Sequence, residues 1–320
     1  MNAIALGLFF LLTAADPPPG AAVSDTNPLL AELTEKGVDM PDGTAIQLPP
    51  PVLKDGADRA AALRALEEKI GPISKSVEQF SLKIRKPDGK QGKQAIYRRI
   101  DVGFIAHGRW EILNSEKFAD NFLKTAKQQA EKAKNEDNGK AKEKEGGEAA
   151  EERMLSKSGL LTEEEMQRRG LGGTPKRGIE ERYFYTTLKI LDRVEVSATR
   201  HAVLTQRPGS LLLAARVDPR FVNDPEYPNQ WRSVDRDAAA RIVYGPKHPY
   251  SGAGFYVKIT RLAGPDGGIF VEYHGVYNEP AGWFPGDENA LRAKLPLVAQ
   301  QEVKQFRMKL RKASEAEKKP

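Results

Sequence analysis

The chain is expected to adopt an α+β fold: an antiparallel, curved sheet packed on a long C-terminal helix, with an N-terminal helix–hairpin unit and a charged, largely disordered insertion. Three observations predict this. Apolar residues alternate with period two in several short segments joined by Pro/Gly turns, the pattern of antiparallel strands. From about Glu288 to Lys312, Leu291, Leu295, Val298, Val303, Phe306 and Leu310 recur at helical spacing opposite a basic face. Between them, Lys124 to Glu152 collapses to Lys, Glu, Ala, Gln, Asn and Gly. Such a tract buries too little apolar surface to offset the ~1–2 kcal/mol per residue lost on ordering the backbone.

Taken in order, Ala3 to Ala15 reads AIALGLFFLLTAA. At ~1.5 Å per residue this run falls short of a ~30 Å bilayer core but matches a signal-peptide apolar region. Thr13-Ala14-Ala15 supplies the small residues of a cleavage site, so residues 1–15 predict export to periplasm, envelope or medium. The n-region, Met1-Asn2, departs from that pattern in carrying neither Lys nor Arg. No later segment could span a membrane.

Residues 16–57, with Pro17-Pro18-Pro19 and Pro49-Pro50-Pro51, predict a Pro-rich tether holding one short helix around Leu29–Lys36 that stops at Gly37. Residues 58–115 predict a helix plus β-hairpin. Asp58 caps a helix through Ile70, Phe80, Leu82 and Ile84 form one strand face, and a second strand runs from Gln94 to Ala106. Residues 116–178 form the charged insertion, opening on a helix over Glu116–Thr125 and closing on another over Leu160–Gly173.

Residues 179–312 carry the main α+β domain, with strands over Tyr183–Ser197, Ala202–Gln206, Leu211–Val217, Gly254–Leu262 and Gly268–Tyr277. The turn Gly264-Pro265-Asp266-Gly267-Gly268 joins the last two. On the last strand Phe270, Glu272, His274 and Val276 face one way, and Val271, Tyr273, Gly275 and Tyr277 the other. Pro296 kinks the closing helix or starts its second segment, and residues 313–320 form a disordered tail.

Composition narrows the function. Of 320 residues 39% are hydrophobic, enough for one large or two ordinary domains. The 50 basic residues interleave with 44 acidic ones, which argues against a one-signed nucleic-acid stripe. The absence of cysteine excludes disulfides, Fe–S clusters, thiol catalysis and a lipidated-cysteine anchor.

No catalytic motif, cofactor motif or metal motif emerges. His107, His201, His248 and His274 form no H-E-x-x-H or H-x-H pattern. Glu272 and His274 share a strand face, the one spacing from which a metal could be approached, but Glu/His alternation on a solvated strand face is much the commoner cause, so no metal is expected. There is no G-x-S-x-G elbow, and Gly170 to Pro175 lacks the phosphate-loop pattern. Turn formation and capping account for Asp218, Asp224 and Glu226 in their Pro-rich loop. Trp110, Trp231 and Trp283 anchor loops or line a pocket.

Phe255-Tyr256-Val257-Lys258-Ile259-Thr260, the Gly-rich turn, Ile269-Phe270-Val271-Glu272-Tyr273, the loop Asn278 to Phe284 and the helix Leu291–Leu310 with Leu295-Pro296 succeed one another. This order of elements resembles the START-like helix-grip (SRPBCC) superfamily over roughly Glu180–Lys312. The resemblance is one of element types, and it departs where the family's early helices would stand. It implies a sheet wrapped on the last helix around a cavity, and with it a non-enzymatic protein holding a hydrophobic small molecule or lipid as the first of three readings. The implied lining is Phe255, Tyr256, Val257, Ile259, Phe270, Trp283, Leu295, Val298 and Phe306. A structural or adaptor protein of the envelope would fill the same space with a solid core. An enzyme would need polar groups converging there, with His274, Glu272 and Tyr277 as its candidates.

Overall fold

The computed structural model describes residues 27–70, 80–85, 95–113, 159–171, 179–264, 268–284 and 290–316. The expected signal peptide, the helix over 116–125, the Lys/Glu tract and the turn residues 265–267 lie outside them.

Helix α1 (Pro28–Glu35) begins where Asn27 Oδ1 accepts from the Leu30 amide at 2.9 Å. Pro28 sits where a missing N–H costs no helix bond. Gly37 ends it at φ +93°, and a Cβ there would lie 2.7 Å from the carbonyl carbon of Ile46. Only glycine lets β1 (Val38–Asp39) turn back onto β2 (Ala45–Ile46).

Asp58 caps α2 (Arg59–Ala65), which continues as a π-helical turn over Leu66–Ile70. Strands β3 (Phe80–Arg85) and β4 (Ala95–Ala106) pair antiparallel, and α3 (Trp110–Leu113) follows. Then come β5 (Gly159–Leu160) and α4 (Glu163–Gln167), the latter opened by a reciprocal Thr162/Glu165 capping box.

The C-terminal part holds β6 (Ile179–Ile190), β7 (Val194–Arg207), β8 (Ser210–Val217), β9 (Gln230–Arg236), β10 (Ile242–Tyr244) and β11 (His248–Pro249). It closes with β12 (Ala253–Arg261), β13 (Ile269–Pro280) and α5 (Ala290–Ala316). Eleven strands make one sheet in the order β10-β9-β7-β8-β12-β13-β4-β3, with β11 on β9 and the β5–β6 pair joined to β7. Every strand pairing in it is antiparallel. The α+β class, the large antiparallel sheet and the C-terminal helix are therefore as the sequence implied.

Four expectations are corrected. Of the one large or two ordinary domains that the length allows, the separation of 58–115 from 179–312 gives way to one, because β13 pairs with β12 over Ile269–Tyr277 on one side and with β4 along its whole length on the other. The tether fails over residues 27–57, where Leu29, Leu33, Val38, Met40 and Leu48 pack on Tyr97, Val203, Ala214, Tyr256 and Val276. Proline there favours an extended chain, but an extended chain can still be packed. Within the insertion, residues 159–171 are ordered, with Leu161 and Leu171 buried against Tyr183, Tyr185, Phe221 and Tyr227. The tail fails over 313–316, since α5 runs to Ala316 and Ser314 is buried. Pro296 lies within α5, inside its first two turns.

The strand boundaries also shift. The alternation expected over 183–197 is two strands, because Leu191 and Asp192 turn the chain at positive φ without any glycine to signal it. Strand β7 then runs unbroken through residues 198–201.

Candidate functional site

The register gives the sheet two faces of different chemistry. On one, Ile100, Val102, Phe104, Ala202, Leu204, Leu211, Leu213, Phe255, Val257, Ile259, Val271 and Tyr273 meet Ala299, Val303, Phe306 and Leu310 of α5. The Phe104 and Phe306 rings meet edge to face at 5.6 Å. Gly108 is packed so closely on α5 that a Cβ would lie 2.4 Å from Leu310 Cγ.

Of the nine residues implied as lining, Phe255, Val257, Ile259 and Phe306 share this layer, and Leu295 packs against it half-buried. Val298 of α5 is half-buried. Trp283 belongs to the adjoining cluster of Val196, Ala198, Val217, Trp231, Tyr250 and Phe284. Tyr256 and Phe270 must be removed from the set, because the period-two alternation puts them on the opposite face. There Tyr256 donates to the Pro49 carbonyl at 2.9 Å, and Phe270 packs on Leu53, Leu66 and Ile105.

The α5 side is not purely apolar. Between its two clusters stands Arg200 of β7, 7% exposed, which donates to Thr186 Oγ1 and lies 5.8 Å from the Phe184 ring centre. Tyr250 and Tyr273 act on it electrostatically, while burial pushes its guanidinium below the ordinary arginine range. Tyr250 stacks on Trp283 at 5.8 Å, and Tyr273 on Phe255 at 5.6 Å. The Tyr277 hydroxyl and the Trp283 Nε1 are buried without a hydrogen-bond partner among the described residues. Buried polar atoms are nearly always paired, so these two mark a place where something is asked for.

The opposite face carries a row of charges across the strands. Arg99 Nε lies 3.2 Å from Asp101, whose Oδ1 lies 2.7 Å from His274 Nδ1. His274 Nε2 lies 3.4 Å from Glu272 Oε2, an ion-pair distance without hydrogen-bond alignment. Lys258 stands directly opposite Glu272 and bonds Asp55 at 2.8 Å.

The Pro-rich segment covers this row through its main chain. Val52 N donates to Glu272 Oε2 at 2.7 Å, and Lys258 Nζ donates to the Leu53 carbonyl at 2.7 Å. Burial alone would lower the His274 pKa; its bond to Asp101 and the nearness of Glu272 outweigh that and raise it. A groove of about 290 Å³ opens beside this row, between α1, Pro51 and the β7–β8–β12 strands. Three of its charged side chains engage one another: Asp55 meets Lys258 and Arg207, the latter at 3.6 Å, and accepts from Ser210 at 2.9 Å.

The enzyme candidates therefore come apart. Glu272 and His274 do share a face, as read, but it is the strap-covered face, and the sheet separates them from Tyr277. Among the described residues no group of three or more His, Asp or Glu side chains is arranged to hold a metal ion. Asp218 caps a short 3-10 turn, and Asp224 accepts from the Glu226 and Tyr227 amides while pairing with Arg169 at 2.7 Å, so that loop's carboxylates are structural.

Arg200 was missed because a charged residue between two apolar runs reads as a break between strands. The alternation Ala198, Arg200, Ala202, Leu204 was the signal that could have found it. No described helix is long and apolar enough to cross a membrane. No protein-family model matches the chain, and no curated protein matches it significantly.

Proposed function

We propose that the chain is an exported, non-enzymatic carrier or sensor that holds a hydrophobic small molecule or lipid between the sheet and α5, in the helix-grip manner. The observation that carries this is the pair of unpaired donors, Tyr277 Oη and Trp283 Nε1, beside an apolar wall that includes Phe255 and Leu295. A mostly apolar site with a few convergent polar groups is the ordinary makeup of a ligand pocket. The order of strands, loop and amphipathic helix, with the START-like resemblance, supports the same reading. Export rests on the apolar run Ala3–Ala15 and the small residues Thr13-Ala14-Ala15 at its end.

The test is native mass spectrometry of the protein purified from its own host, with lipid extraction alongside. The expected result is a co-purifying apolar mass that is lost on Val298→Glu, with the mature N-terminus at Asp16. A clean apo mass, together with no binding of a hydrophobic fluorophore, overturns the carrier reading.

A second reading is favoured by the tight packing at the β4 end, where Gly108 meets Leu310 and Phe104 meets Phe306. It takes the sheet–helix layer as a solid core in a structural or adaptor protein of the envelope. The apo outcome would place it first.

A further inference from the structure

Two arginines are buried among the described residues, Arg98 and Arg200. Arg98 pairs with Glu279, as the half-buried Arg99 does with Asp101 at 3.2 Å and Arg232 with Glu195 at 2.7 Å. Arg200 is the exception among them. Its contacts are a hydroxyl, that of Thr186, and the Phe184 ring, and no carboxylate among the described residues acts on it. The half-buried carboxylate of α5, Glu302, has Lys309 as its charged neighbour among the described residues and does not act on Arg200 either.

Burying a guanidinium without an opposite charge is costly, and one hydrogen bond with one ring does not offset it. The residues around it are suited to an acceptor-rich guest. Tyr250 and Tyr273 act on Arg200, and Tyr277 and Trp283 of the same aromatic group hold unpaired donors. Gly275 contributes by having no side chain, since a Cβ there would fall 2.5 Å from the Tyr273 hydroxyl.

We propose that Arg200 anchors the anionic head of an acidic amphiphile, a long-chain carboxylate, whose tail lies along the apolar layer between the sheet and α5. This rests on the carrier reading and narrows it to a ligand class. A planar guanidinium takes a carboxylate through two parallel N–H···O bonds.

The test compares dodecanoic acid, dodecanol and dodecyl phosphate by calorimetry on delipidated protein, as wild type, Arg200→Lys and Arg200→Met. The expected result is at least about tenfold tighter binding of the acid than of the alcohol to wild type, reduced in Arg200→Lys and abolished in Arg200→Met. Tighter binding of the phosphate than of the acid would keep the anionic anchor and move the head group to a phosphate ester. Equal binding of acid and alcohol to wild type overturns the anchor while the carrier reading stands. If none of the three binds, both fall. Should Arg200→Met fail to fold, the wild-type acid-to-alcohol ratio and the Arg200→Lys variant decide.

Discussion

At the scale of single residues, His274 makes the sharpest prediction. Its folded pKa lies above the unfolded value of 6.5 because Asp101 and Glu272 flank it. A group raised on folding contributes stability that is complete below the unfolded pKa and is lost as pH rises through the folded one. Stability should therefore decline on going from acid to alkaline solution through that window, and His274→Gln should flatten the decline. Urea midpoints measured across pH 5.5–9 on the ~1–3 kcal/mol/M scale of denaturant slopes will check it. Gly37→Ala tests a different physics, because the new Cβ meets backbone at 2.7 Å and the φ of +93° resists any L side chain. It should cost at least about 1–3 kcal/mol of stability.

At the scale of elements, α5 is held by a few ring and branched contacts. Phe306→Ala should cost about 3–5 kcal/mol, since Phe306 is fully buried with its ring against Phe104. The strap over 49–55 is held in large part by main-chain atoms, beside the side chains of Leu53 and Asp55. Val52→Pro removes the N–H that Glu272 Oε2 accepts and should cost about 1–3 kcal/mol, whereas Val52→Ala should be nearly neutral. Thermal melts of the two variants side by side will separate these outcomes.

The same contrast explains what the sequence disclosed. Side-chain periodicity announced β12, β13 and α5, down to the opposite orientation of His274 and Tyr273. The strap lay hidden, because prolines signal an extended backbone and are silent about whether that backbone is packed. The β6–β7 turn at Leu191-Asp192 was equally hidden, since no glycine or proline marks it.

At the scale of the whole molecule, β13 joins the early and late parts of the chain into one sheet, pairing Ile269–Pro280 with β4 and Ala253–Arg261 of β12 with the same strand. The described body should therefore unfold as one unit. Trp110 sits in the α5 layer, whereas Trp231 and Trp283 sit in the neighbouring cluster. Fluorescence of variants keeping one tryptophan each should show coincident midpoints, and separated midpoints would reveal independent units. No local sequence signal announces this joint, because pairing between residues about 170 positions apart, as for Asp101 and His274, is a property of the sheet alone.

The main-chain character of the strap has a consequence for how such a protein can diverge. Pro49 offers a carbonyl, Val52 an amide and Leu53 a carbonyl, groups that almost every amino acid carries. Their counterparts on the sheet, Tyr256, Glu272 and Lys258, depend on particular side chains. Drift should therefore be asymmetric across this one interface. A deep substitution scan should find Pro49 and Val52 permissive except to proline at Val52, Leu53 and Asp55 restricted by their own side-chain contacts, and the three sheet positions nearly immovable.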